Sequence, residues 1–431
     1  MNRPSYWRKL WMPTFSALAS ILSLPLFSAS DRTPSEMSLA LPATDEGVPG
    51  AGPLRRADWF QDLWLKSRKA WAARVDKDQN ALVFLGDSIT QLWAGNLAHA
   101  FPGVKVANRG IGGDTTRGVL YRLGDVLALN PRGVVILIGT NDLEEGATPE
   151  VASENIRLIL TSLHAHNATL PIVLCYVMPS SALKSRPRDK ITRLNELIFS
   201  HVQDFPQVSV VDTWSLFANA EGDARPEEFP DLLHPNGRAY GTWAAALRPT
   251  LETLGLVPAW PDDFLPEPGF TSLFNGRDFT GWTDPEGRRF EDRMETPDSR
   301  FACRNGRLVV LTSRVSKQGR RILTTQSFPH DFVLKLEFRA SPNADSGVFV
   351  RGPQLQCRDY PLAGPFLTLK HYRPLDWNEL VITVRGGLAH ATCNGEVLVD
   401  AFAVPADGQI GLESDRGHME YRRIRISEQA R

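Results

Sequence analysis

The feature that most constrains this chain is a change of hydrophobic period at one proline-rich stretch. Up to about residue 256, short apolar runs alternate with longer segments of helical spacing. The runs are Ala81–Leu85, Val104–Ala107, Gly133–Ile138, Pro171–Val177 and Val208–Val211; the helical segments are Thr116–Leu129, Pro149–His166, Arg188–Gln203 and Gly237–Leu254. Near-continuous apolar strands separated by helices predict a parallel sheet covered on both faces, since only a strand buried on both sides lacks a polar face. Residues 257–269 then hold Pro258, Pro261, Pro266 and Pro268, a density at which neither helix nor strand persists. Beyond it come alternating segments bounded by Gly, Asn and Asp: Arg307–Thr312, Phe332–Arg339, Gly347–Arg351, Glu379–Val384, Leu388–Cys393 and Arg422–Ile426. With Asn394-Gly395 as a hairpin signal, this half reads as an all-β, two-sheet sandwich.

A length of 431 residues accommodates both domains and a leader. Arg3, Arg8 and Lys9 precede an apolar run, Leu10 to Phe27, that ends in Ser28, Ala29 and Ser30, a signal-peptide layout with cleavage expected near Ser30. Pro13 and Pro25 make the run a poor bilayer span, so the mature protein is expected to be exported, periplasmic or extracellular, without a membrane anchor. The expected organisation is signal peptide 1–30, flexible linker 31–54, α/β domain 55–256, proline-rich linker 257–268 and β-sandwich 269–428. Within 57–75, Trp59, Phe60, Leu63, Trp64 and Trp71 recur at helical spacing and read as a core-packing stripe. A formal net charge of -1 gives no footprint for nucleic acid or an anionic membrane. Cys175, Cys303, Cys357 and Cys393 lack metal-ligand spacing, and a disulfide among the last three stays open.

An α/β sheet places its chemistry at the carboxyl ends of its strands, and polar motifs follow three of the predicted ones. Gly86-Asp87-Ser88-Ile89-Thr90 follows the first; Ser88 there is either a nucleophile or a turn residue capping a helix. The glycines of Asn108–Thr116 allow close approach of backbone to a ligand, but a phosphate cradle would need a Walker lysine or a GxGxxG order. Gly139-Thr140-Asn141-Asp142 follows the most apolar strand, so Asn141 is a turn residue or an oxyanion donor. Far along the chain, Asp231-Leu232-Leu233-His234 sets a carboxylate three residues from an imidazole, the pairing a serine nucleophile needs.

In this order the four motifs resemble the conserved blocks of SGNH/GDSL hydrolases, over roughly Asp58 to Gly255. The Asn108–Thr116 run is most similar to the branch of platelet-activating-factor acetylhydrolase-like proteins and carbohydrate acetylesterases. The resemblance implies a flavodoxin-like three-layer sandwich and a triad of Ser88, Asp231 and His234. It further implies an oxyanion hole of the Ser88 and Gly113 N–H groups and the Asn141 side chain, with no cofactor or metal. From Gly269-Phe270-Thr271-Ser272-Leu273-Phe274-Asn275-Gly276 to Tyr421-Arg422-Arg423-Ile424 the chain resembles the 3-keto-disaccharide hydrolase family, a concanavalin-like jelly roll. That likeness implies sugar binding or processing, with Glu337, Arg351 and Gln356 on one ligand-facing sheet. Gln354 stands where the family commonly has Glu, which argues for binding over hydrolysis. The expectation is thus an exported serine esterase acting on O-acyl, chiefly acetyl, esters of carbohydrate or small esters. The rivals are a short-chain lipid esterase, a bifunctional enzyme that also cleaves 3-keto-glycosides, and a binding protein with a degenerate triad.

Overall fold

The computed structural model describes residues 39–429 except 94, 261 and 312–319, so the expected signal peptide lies outside the described residues. Five parallel strands form the first sheet: β1 (Leu82–Gly86), β2 (Val106–Gly110), β3 (Gly133–Leu137), β4 (Ile172–Cys175) and β5 (Val208–Val211), in the order β2-β1-β3-β4-β5. Strand alternation sends Val83, Leu85, Val134 and Ile136 into one helix layer, with Ile156, Ile159, Leu194 and Ile198. Leu82, Phe84, Val135 and Leu137 point the other way, against Trp93, Trp243 and Leu247. Since the chain runs from β1 outward to β2 and returns to β3 on the other side, the loops after β1 and β3 part and leave a crevice at their carboxyl ends.

The structure differs from the sequence reading at two places in this domain. The stretch Thr116–Leu129 is two short helices, Thr116–Tyr121 and Gly124–Leu127, because Arg122 at the break is wholly buried and committed to Asp114 and the Gly86 carbonyl. From residue 39 onward the expected flexible linker packs as a strap. Arg117 donates to the carbonyls of Val48, Pro49 and Gly52 and to Asp45, and Asn155 exchanges two hydrogen bonds with Ala51.

The second domain is antiparallel. One sheet runs Gln354–Arg358, Asp345–Val350, Gln409–Ser414, Arg320–Ser327, Trp282–Thr283; the other runs Glu396–Ala403, Leu388–Cys393, Asn378–Arg385, Asp331–Ala340, Met419–Gln429, Arg307–Val310, Phe301–Arg304, with Thr271–Ser272 pairing Met419–Gln429. Between them lies a core that includes Trp282, Phe338, Val348, Tyr360, Ile382 and Tyr421. Asn394 and Gly395, both at positive φ, turn the predicted hairpin. All four cysteines are buried free thiols; burial pushes those of Cys175, Cys303 and Cys393 up to about 12 and raises that of Cys357 well above the ordinary thiol value.

Charges join the two domains. Glu252, at the end of the helix Gly237–Thr253, accepts from Arg307 at 2.6 Å and Arg339 at 2.8 Å, and both arginines also pair with buried Glu420. Trp377 lies against Arg307 and Arg339, and Asn343 reaches Asp212 of the first domain at 3.0 Å. The proline-rich segment is pinned as well, Asp262 to Arg423 and Glu267 to Arg425. Removing Glu252 leaves two guanidinium groups facing one carboxylate in a buried interface. Glu252→Ala is therefore expected to lower unfolding free energy by about 3–5 kcal/mol; a urea unfolding curve that shifts by less than about 1 kcal/mol, the range of a surface pair, would contradict a buried network.

Candidate active site

Ser88 begins the short helix Ser88–Leu92 directly after β1, and the Asp87 side chain caps that helix by accepting from the Ile89 N–H at 2.9 Å. The turn is tight because Gly110 sits against it: a Cβ on Gly110 would lie 2.3 Å from the Gln91 nitrogen and 2.7 Å from the Asp87 carbonyl oxygen. His234 Nε2 stands 2.9 Å from Ser88 Oγ, and its Nδ1 stands 2.7 Å from Asp231 Oδ2. Asp231 Oδ1 also accepts the backbone N–H groups of Leu233 and His234, which holds the carboxylate in line with the ring. Burial raises the Asp231 carboxyl, but those N–H groups and the imidazole outweigh it and leave it at about 2, an anion at neutral pH. Leu232, at φ 61°, makes the bend that turns Asp231 and His234 toward one another.

The loops after β2 and β3 complete the site. Gly113, at φ +83°, turns the chain in a conformation that a side chain resists. Gly112 lies close to Ser88, since a Cβ there would be 3.7 Å from Ser88 Cβ. Asn141 is 3% exposed; its Nδ2 donates to the Asp114 carbonyl at 2.8 Å and its Oδ1 accepts from Arg186 at 3.0 Å. Asp114 in turn forms a fully buried pair with Arg122 at 2.7 Å, and Arg122 also donates to Gly86 O at 2.9 Å. One guanidinium thereby ties the loop that carries Ser88 to the loop that carries Gly113, and the Asp114 carbonyl ties both to Asn141. Arg186 gives no local sequence signal; only the fold brings it to Asn141, from 45 residues away.

Ser88, His234 and Asp231 thus form one hydrogen-bonded chain; Gly112, the neighbour of Gly113, approaches Ser88, and Asn141 is joined to the same loop through the Asp114 carbonyl. Glu337, Arg351 and Gln356 do not meet. Strand alternation puts Leu336 and Phe338 in the sandwich core and Glu337 on the outer side of its sheet, where Arg422 and Arg423 hold it at 2.7 and 2.8 Å. Gln356, between buried Leu355 and Cys357, faces outward from the other sheet, beside the hydrogen-bonded pair Gln354 and Glu413. Arg351 is 5% exposed and donates to the carbonyls of Pro405 and His330, a structural clasp at a strand end. The expectation that these three line one face is corrected accordingly.

Residues 84–241 match the GDSL-like lipase/acylhydrolase family and residues 269–427 the 3-keto-alpha-glucoside-1,2-lyase-like domain. Human platelet-activating factor acetylhydrolase IB subunit alpha2 is 27% identical over 187 residues, which is 42% of this chain and 79% of that protein. A solved GDSL-like lipase from Bacteroides thetaiotaomicron is 26% identical, covering 43% of this chain and 96% of that one at a TM-score of 0.39. A Parabacteroides distasonis structure named provisionally as a glycosyl hydrolase is 19% identical, covering 39% of this chain and 100% of its own at a TM-score of 0.32.

Asp87, beside the serine, has a second consequence. Burial, reinforced by Asp114 and Asp142 against the Ile89 N–H and Arg186, pushes its carboxyl up to about 7, and its Oδ2 has no hydrogen-bond partner among the described residues. A carboxyl raised in the folded state binds its proton more tightly there than in the unfolded chain. Its contribution is complete below the ordinary value of 3.8 and is lost as pH rises to about 7. Wild-type thermal midpoints should thus decline from about pH 4 to 7 relative to those of Asp87→Asn, which keeps an acceptor for Ile89 without ionising. Parallel midpoint profiles would mean that Asp87 titrates alike in both states.

Proposed function

From a chain that joins a GDSL-type acylhydrolase domain to a 3-keto-disaccharide hydrolase-like domain, we infer that Ser88 is the nucleophile of an esterase that removes O-acetyl groups from carbohydrate. The observation that carries the chemistry is the continuous relay of Ser88 Oγ, His234 and Asp231 at 2.9 and 2.7 Å. Ser88 Oγ attacks the ester carbonyl as His234 Nε2 takes its proton, and Asp231 holds Nδ1–H and stabilises the imidazolium. The carbonyl oxygen, now negative, is received by the Ser88 and Gly113 N–H groups and the second Nδ2 hydrogen of Asn141. Collapse expels the alcohol, which leaves with the His234 proton. Water then attacks the acyl-enzyme with His234 as base, the acid departs, and Ser88 is restored.

The carbohydrate alcohol is supported by association within one molecule: the acylhydrolase is held by a buried ionic interface to a domain of a sugar-acting family. The cleavable leader expected at 1–30 belongs to the same reading, since export brings the enzyme to polysaccharide.

Ser88→Ala is expected to cost roughly 10⁴–10⁶ in kcat on a small acetyl ester while circular dichroism stays unchanged. More than about a hundredth of wild-type activity in the folded variant would sink the nucleophile assignment. Asn141→Ala should lower kcat by roughly 10²–10³ with little change in KM, because its donor acts on charge that develops in the transition state. A change confined to KM would make Asn141 a substrate-positioning group instead.

A further inference from the structure

Of the aromatic stripe on the helix Asp58–Ala72, Phe60 and Trp64 are wholly buried, but Trp59 is 52% exposed. Its ring lies at the active-site turn: a Cβ on Gly113 would be 2.7 Å from Trp59 Cη2 and 3.5 Å from Arg55 Cδ. The neighbouring Gly112 is the residue that approaches Ser88, and Leu63, one helical turn after Trp59, packs on it. The indole therefore stands one residue step outward from the nucleophile, on the oxyanion side.

Its position is set by a chain of charges. The Arg55 guanidinium lies 5.4 Å from the Trp59 ring centroid and pairs with Glu144 and Glu145, each at 2.7 Å. Glu144 also pairs with Arg186 at 2.9 Å, the same arginine that grips the Asn141 carboxamide oxygen. The indole and the Phe60 ring form a T-shaped contact, with ring centroids 5.7 Å apart. A half-exposed ring is thus fixed relative to the group proposed to receive the carbonyl oxygen, and charged hydrogen-bonding groups border it.

We propose that Trp59, which carries the Glu145-paired Arg55 guanidinium over one face of its ring, is the subsite for the alcohol portion of the substrate and stacks a pyranose ring on its other face. The proposal rests on the carbohydrate-esterase reading above. The apolar C–H face of a sugar ring matches the electron-rich indole face, and its hydroxyls suit a guanidinium and a carboxylate. A platform tied through Glu144 and Arg186 to Asn141 holds the ring at a constant distance from the reacting carbonyl, so binding is converted into orientation.

The test compares wild type, Trp59→Ala and Trp59→Phe on 6-O-acetylglucose, ethyl acetate and octyl acetate, with acid release followed by pH-stat. Trp59→Ala is expected to raise KM for the acetylated sugar about tenfold, the effect of one lost aromatic contact, and to leave ethyl acetate within about twofold. Trp59→Phe, which keeps a flat ring, should recover most of the sugar KM. Equal losses on ethyl acetate would overturn the proposal, because Trp59 would then only prop the Gly113 turn. So would an unchanged sugar KM, or a greater loss on octyl acetate, which would mark a site for an alkyl chain. Wild-type turnover of ethyl acetate without turnover of the acetylated sugar overturns the carbohydrate reading itself, independently of what the Trp59 variants do.

Discussion

The site depends on one buried ion pair, Arg122 with Asp114. Neither side chain reaches solvent, and isolated charges at such depth are untenable, so each fixes the other. Arg122 spends a further donor on the Gly86 carbonyl at the end of β1, and Asp114 offers its own carbonyl to Asn141 after β3. Three loops that leave different strands are thereby locked into one geometry before any substrate arrives. The break of the helix at Arg122 is the local cost of this arrangement, and Gly118 shows how closely it is built: a Cβ there would lie 1.9 Å from Asp114 Oδ1.

What could be read from the sequence follows from the range of each signal. Parallel strands buried on both faces announce themselves as apolar runs, and Asp231 and His234 lie within one turn, so spacing alone put them together. The strap from residue 39 was illegible because the groups it offers to Arg117 and Thr115 are mostly its own main-chain carbonyls, of Val48, Pro49, Gly52 and Pro53. Every sequence offers carbonyls, and a Pro- and Gly-rich composition hides which ones will be used. Arg186 was invisible for the opposite reason, its partner being remote in sequence. In the sandwich, Gln409–Ser414 carries Gly411 at its centre and Arg320–Ser327 is largely polar, so neither showed the expected alternation.

The same limit explains the placement of Glu337, Arg351 and Gln356. Family likeness pointed to residue types, but a ligand face is decided by strand parity and by which sheet each strand joins. Glu337 falls on the side where the proline-rich segment is held, and its charge is consumed by Arg422 and Arg423. The segment between the domains is consequently more than a tether. With Glu252 and Glu420 bridging Arg307 and Arg339, it makes the two halves share charges that neither could bury alone.

The four buried thiols carry an implication for how the molecule behaves outside equilibrium. Only a thiolate reacts with an alkylating agent, and thiols that burial raises this far above their ordinary value are almost wholly protonated at neutral pH. Each cysteine is silent until the chain around it opens. Cys175 belongs to one half of the molecule and Cys303, Cys357 and Cys393 to the other, so the chain holds its own clock for each domain. The order in which the thiols become modified records which half opens first, or that both open together.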